Sequence, residues 1–149
     1  MVNRYAHFSS AISSINQYIT RIESIEMEKY NLKGSHAQYL MAIYISKEGL
    51  TAKELAEKCA KDKAAVSRGI SGLEKTGLVV RKAGATETYR SKILLTDKGR
   101  EAAGIVAEKA AKAVELASKG YNEKERIIFY NILDMISGNL RKLSEHGLD

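Results

Sequence analysis

The chain has 149 residues, a formal net charge of +6 at pH 7, 44% hydrophobic and 28% charged residues, and no proline. That is ordinary globular usage for one domain and argues against a disordered chain. No apolar run reaches the roughly 18 residues of a membrane helix. The first residues, MVNRYAHFSSAI, lack the apolar stretch of a secretory signal. A single cysteine, Cys59, excludes an internal disulfide and weakens a zinc-ribbon or cysteine-cluster reading, and a cytoplasmic location is the expectation.

The charge is unevenly spread. Residues 1–50 carry 5 basic and 4 acidic side chains, residues 51–100 carry 12 and 6, and residues 101–149 carry 7 and 8. The excess therefore sits in the middle third, between nearly neutral flanks. A basic module in a neutral frame suits a nucleic-acid partner, although a solvated basic face has the same composition.

Taken in order, Ile12, Ile15, Ile19, Ile22 and Ile25 are spaced for one side of a helix over about 8–30. Ser35 with Gln38 three residues later reads as a capping box, opening a helix that carries Leu40, Ile43 and Tyr44 and ends near Gly49. Thr51 with Glu54 opens a short helix to about Lys58. Asp62 caps a helix over 63–75, with Val66, Ile70 and Leu73 inward and Gly77 as the stop. The period then changes. Leu78–Val80 and Ile93–Leu95 read as strands of a hairpin whose long tip spans 81–92. Thr96 caps a helix over about 97–118, ended by Gly120. Asn122 and Glu125 form a last capping box, before a helix with Phe129, Ile132, Leu133, Ile136, Leu140 and Leu143 at helical spacing. The fold class expected is mainly α, with a two-stranded β wing after a helix-turn-helix and long helices at both ends.

The central unit is helix, turn of about three residues (Cys59-Ala60-Lys61), helix, hairpin. That is helix-turn-helix spacing, in which the second helix enters the major groove of double-stranded DNA. An αα-hairpin with a solvated outer face shares the spacing. On the groove reading, Lys63, Ala64, Ala65, Ser67, Arg68 and Ser71 face DNA. Small residues let the backbone approach, Ser67 bonds a base or a phosphate, and Arg68 forks onto a guanine edge or a phosphate. Thr51 and Lys53, at the start of the shorter helix, are the expected phosphate contacts.

At these residues the sequence resembles a known family. Glu54-Leu55-Ala56-Glu57-Lys58, Asp62-Lys63-Ala64-Ala65-Val66-Ser67-Arg68, Leu73-Glu74-Lys75-Thr76-Gly77-Leu78-Val79 and Leu95-Thr96-Asp97-Lys98-Gly99 are similar to the MarR family of winged-helix transcriptional regulators. Element order and length agree over essentially the whole chain. The resemblance implies a homodimer, with a dimerisation helix in residues 1–34, a DNA-binding module in 35–100 and dimerisation helices in 101–149. It implies one half of an inverted-repeat operator per module, repression as the commoner mode, and release by a small phenolic or anionic effector in a crevice. Apolar residues beyond what a small winged domain covers, among them Ile12, Ile15, Ile128, Ile132, Leu140 and Leu143, are the expected dimer contacts. His36, Tyr39 and Tyr44 are the expected crevice residues, with core packing as the alternative for the tyrosines.

The wing departs from the family's pattern of acid, one residue, arginine. Glu87-Thr88-Tyr89 stands there, with Arg90 beside it. The wing contacts to DNA are therefore expected from Arg81, Lys82, Thr86, Tyr89 and Arg90. Ala64-Ala65 stands where many members carry Ser or Thr, which removes two hydroxyl contacts.

Cys59 reads as a small buried hydrophobe, with a thiol sensor as the alternative given Lys58 and Lys61 nearby. His7, His36 and His146 are scattered, so no metal site is expected within one chain, leaving only ligation assembled across a dimer. No cofactor is implied. No nucleophile–base motif, phosphate loop or paired-carboxylate signature is present, and an enzyme is not expected. Two further readings stay open: a winged protein-interaction module, and a protein that coats DNA without reading sequence.

Overall fold

A computed structural model describes residues 2–82 and 91–147. Eight elements follow in order: α1 (Val2–Glu28), α2 (Gly34–Ser46), α3 (Ala52–Cys59), α4 (Lys63–Lys75), β1 (Val79–Arg81), β2 (Ile93–Leu95), α5 (Asp97–Ala117) and α6 (Glu123–His146). The chain forms two compact units, one running to Ala113 and the other starting at Val114.

The first unit is built around α2, whose Ala37, Tyr39, Leu40 and Ile43 are all buried. They share one core with Leu55 of α3, Val66, Ile70 and Leu73 of α4, Leu78, Val79 and Ile93 at the wing, and Ala102, Ala103 and Val106 of α5. Each fully buried Leu, Ile or Val contributes roughly 1.5–3 kcal/mol relative to exposure.

Most boundaries follow the caps read from sequence. Thr51 Oγ1 accepts the Glu54 N–H at 3.2 Å, while Glu54 Oε2 accepts the Thr51 N–H at 2.7 Å. Asp62 Oδ1 accepts the Ala65 N–H at 2.8 Å, and Asn122 closes a capping box with Glu125. The first strand starts at Val79 rather than Leu78. Leu78 is spent on ending α4: its N–H reaches the Leu73 carbonyl at 2.9 Å and the Gly77 N–H reaches that of Glu74 at 3.0 Å. This is a Schellman ending, with Gly77 at φ +73°.

The start of α2 differs from the expected capping box. Ser35 lies inside the helix and Lys33 is the N-cap. Gln38 cannot close a box with Ser35, because its amide donates to Thr20 Oγ1 on α1 at 3.1 Å. His36 takes the role instead, its Nδ1 accepting the Lys33 N–H at 3.1 Å.

The α1 helix starts earlier than the periodicity suggests, and most of its isoleucine stripe is not covered by this chain. Its buried residues are Glu26 and Met27, near its C-terminal end. Glu26 accepts from Lys29 Nζ at 2.7 Å and from Lys109 Nζ of α5 at 2.9 Å. Burial pushes this carboxyl up, but the two ammonium groups outweigh burial and hold it below the usual carboxylate range.

The wing is a short antiparallel pair, with Val79 opposite Leu95, Val80 opposite Leu94 and Arg81 opposite Ile93. Leu50, between α2 and α3, joins it as an isolated bridge: Ile93 N–H donates to Leu50 O at 2.8 Å and Leu50 N–H to Ile93 O at 3.1 Å. At the start of α5, a side chain on Gly99 would overlap the Leu78 carbonyl. This position therefore admits only glycine without displacing the wing.

Candidate nucleic-acid interface

The α3 helix runs one residue further than its periodicity suggests, so the turn before α4 is Ala60-Lys61-Asp62. Ala60 turns the chain in the left-handed region, φ 49° and ψ 47°. Asp62, held below the usual carboxylate range chiefly by the Ala65 N–H, then starts α4. Three residues between two capped helices fix their crossing within a helix-turn-helix.

Two faces result on α4. Val66, Gly69, Ile70 and Leu73 are buried. Lys63, Ala64, Ser67, Arg68 and Ser71 are exposed along the opposite face, and Ala65 is half-buried at its edge. The helix lies close to α2 because two glycines face it. A Cβ at Gly69 would overlap the Tyr39 ring, and one at Gly72 would stand 2.7 Å from His36 Nε2. No regularity in the sequence marked Gly69 and Gly72 as contact positions, since their partners lie on another helix.

Around this face the other expected contacts divide. Lys53 on α3 is largely exposed. Thr51 is committed to its own cap, its hydroxyl also donating to Glu54 Oε2 at 2.9 Å. Lys82 is exposed at the wing base, its N–H donating to Lys92 O at 2.8 Å. Arg81 is held on α4, its Nε donating to Glu74 Oε1 at 2.9 Å. Thr86, Tyr89 and Arg90 lie outside the described residues.

Beside the face is a groove of about 450 Å³ whose walls include Lys33, Ser35, His36, Lys61 and Arg68, with Tyr39 at its base. Two of the expected crevice residues thus meet there, together with Ala65 and Arg68 of α4. Tyr44 is not among the lining residues, and its hydroxyl lies near Gly104 of α5. Burial raises the Tyr39 pKa. The sequence does not reveal Lys33 and Lys61 as groove residues, because 28 positions separate them and the spacing carries no sign that they meet.

Cys59 is half-buried, its Sγ 4.0 Å from the Gln38 carbonyl. Burial pushes the thiol up, against the lowering effect of Lys61 and Lys58. That is the reverse of the low-pKa environment a reactive thiolate needs. Among the described residues, no three His, Cys, Asp or Glu side chains converge for a metal ion, and no helix is long and apolar enough to cross a membrane.

In the second unit, α6 buries none of its described residues. Ile128, Ile132, Leu140 and Leu143 are all exposed, at 57%, 45%, 52% and 41%. On α1 of the first unit, Ile12 and Ile15 are likewise exposed.

Comparison with known proteins bears out the resemblance. Residues 30–87 match the MarR family model. No curated relative matches the sequence. Among solved structures, a putative MarR family regulator from Listeria monocytogenes complexed with a 26mer DNA is 23% identical, with TM-score 0.79 over 94% of this chain and 95% of that one. A MarR transcriptional regulator from Methanosarcina mazei is 22% identical, with TM-score 0.81 over 93% and 99%. The Staphylococcus aureus MepR–DNA complex is 19% identical, with TM-score 0.72 over 89% and 97%. The fold is the winged helix of these regulators.

Proposed function

We propose that this chain, MarR-type over residues 30–87, is a homodimeric regulator of transcription that reads an inverted-repeat operator in double-stranded DNA and releases it on binding a small effector. Repression is the mode proposed. The observation that carries the reading is the division of α4, which buries one row and exposes Lys63, Ser67, Arg68 and Ser71 on a small-residue face. Arg68 is the side chain suited to fork onto a guanine edge, and Ser67 and Ser71 serve base or phosphate. Lys53 and Lys63 neutralise backbone phosphates. The solved complexes of the Listeria protein and of MepR with DNA support the same partner for this fold.

The dimer rests on the uncovered apolar rows of α1 and α6. Two such rows per chain suit a large obligate interface with a second copy. A two-fold dimer places half-sites about one helical turn, near 34 Å, apart. The effector rests on the groove beside α4, where Lys33, Lys61 and Arg68 supply cations and Tyr39 an aromatic base. This chemistry suits a small aromatic acid.

The test is to measure mass by sedimentation and to titrate a labelled duplex at several salt concentrations. The expected result is a dimer whose log–log salt slope is about −0.9 for each phosphate neutralised. Salt-insensitive retention, or a monomer, would count against the proposal.

A further inference from the structure

The Glu74–Arg81 pair stands where α4 meets the wing. Glu74 lies seven residues after Ser67 and three after Ser71, on the face that carries the expected DNA contacts. A carboxylate there opposes phosphate, so electrostatics alone would disfavour it. Its geometry offers a different role. Glu74 Oε1 accepts from Arg81 Nε at 2.9 Å, and both side chains are about two-thirds buried, at 32% and 27% exposure. Arg81 is the last residue of β1 and pairs with Ile93 of β2.

The same corner is closed by further polar contacts. Thr96 Oγ1 donates to the Gly77 carbonyl at 2.7 Å and accepts the Gly99 N–H at 2.9 Å. Lys98 Nζ donates to the Thr76 carbonyl at 2.8 Å while lying 5.1 Å from the centre of the Tyr30 ring. These contacts fix the loop that leaves α4. Only Glu74–Arg81 links the body of α4 to the strand by side chains among the contacts described for this corner.

We propose that Glu74 and Arg81 are positioning residues: their ion pair fixes the angle between the recognition helix and the β1–β2 ladder, so that both meet one DNA half-site together. The inference rests on the DNA-binding reading above, but the brace itself is visible without DNA. Arg81 then acts through Glu74 rather than by touching a phosphate.

The experiment compares wild type, Glu74→Gln, Arg81→Glu and the charge swap Glu74→Arg with Arg81→Glu. Each is first checked for an unchanged melting profile. Two readouts follow: hydrogen exchange of the Lys82 amide in the free protein, and affinity for a selected duplex relative to a random one. The expected result is that Glu74→Gln speeds Lys82 exchange and weakens preference for the selected duplex by about two- to fivefold, as for an ion pair about one-third exposed. The swap should restore both. Three results would overturn the proposal. One is tighter binding by Glu74→Gln, which is what removing a repelling charge alone gives. Another is a loss abolished by changing a single base pair, which would make Glu74 a base reader. The third is a swap no better than Arg81→Glu, which would make Arg81 a phosphate contact. If no duplex is selected at all, the exchange readout still decides the brace, while the DNA-binding reading fails on its own.

Discussion

The helices α4 and α6 differ in where their apolar rows end. In α4, Val66, Ile70 and Leu73 are covered by their own chain, and the face left open is polar and small. In α6, Ile128, Ile132, Leu140 and Leu143 are open, and no described residue is buried. A helix that has buried its apolar row has only its polar face to offer a partner, which suits a polyanion. A helix that has not is an unfinished core, which suits another apolar surface. One chain thus carries two interaction chemistries, which substitutions should separate.

The largest expected effect is on association. Ile132→Glu with Leu140→Glu on α6 should raise the dimer dissociation constant at least about a thousandfold, roughly 4 kcal/mol. Sedimentation equilibrium checks it, and an unchanged mass would break the comparison. Next is Gly99→Ala, whose added Cβ overlaps the Leu78 carbonyl. It should destabilise the first unit by about 3 kcal/mol in denaturant melts at fixed protein concentration, since association contributes to stability.

Arg68→Ala should cost about 1–3 kcal/mol of specific binding while leaving mass unchanged. Equal losses on selected and random duplexes would assign Arg68 to phosphate instead. Glu26→Gln should cost about 1–3 kcal/mol of stability, because a buried charged acceptor for Lys29 and Lys109 is lost. Its pH dependence has a definite sign. Glu26 has a lowered folded pKa, so its contribution is complete above the unfolded value of roughly 4.3 and is lost as pH falls through the folded one. Melting midpoints of wild type and Glu26→Gln should therefore converge in acid. The smallest effect is Lys53→Ala, which should flatten the salt slope by about one phosphate and spare sequence preference.

The helices, their caps and the wing were legible because local signals and tertiary packing agree. Thr51–Glu54, Asp62 and Asn122–Glu125 cap where their spacing says. Ser35 failed because its partner Gln38 is drawn to Thr20, 18 positions earlier. Leu78 reads as strand, yet closing α4 uses its N–H. The exposed row of α4 follows from periodicity alone. What surrounds it does not: Gly69 against Tyr39, Gly72 against His36, and Lys33 across from Lys61 join distant positions. The ion pair of Arg81, an expected wing contact to DNA, is hidden for the same reason, since Glu74 seven residues away carries no sign of pairing with it.

On the proposed function, the polar face of α4 reads sequence. The direct test is selection of bound duplexes from a random pool at about 150 mM salt, near physiological ionic strength. The expected result is an enriched inverted repeat with half-site centres about one helical turn apart. Retention without any enriched motif, by a folded dimer, would contradict it.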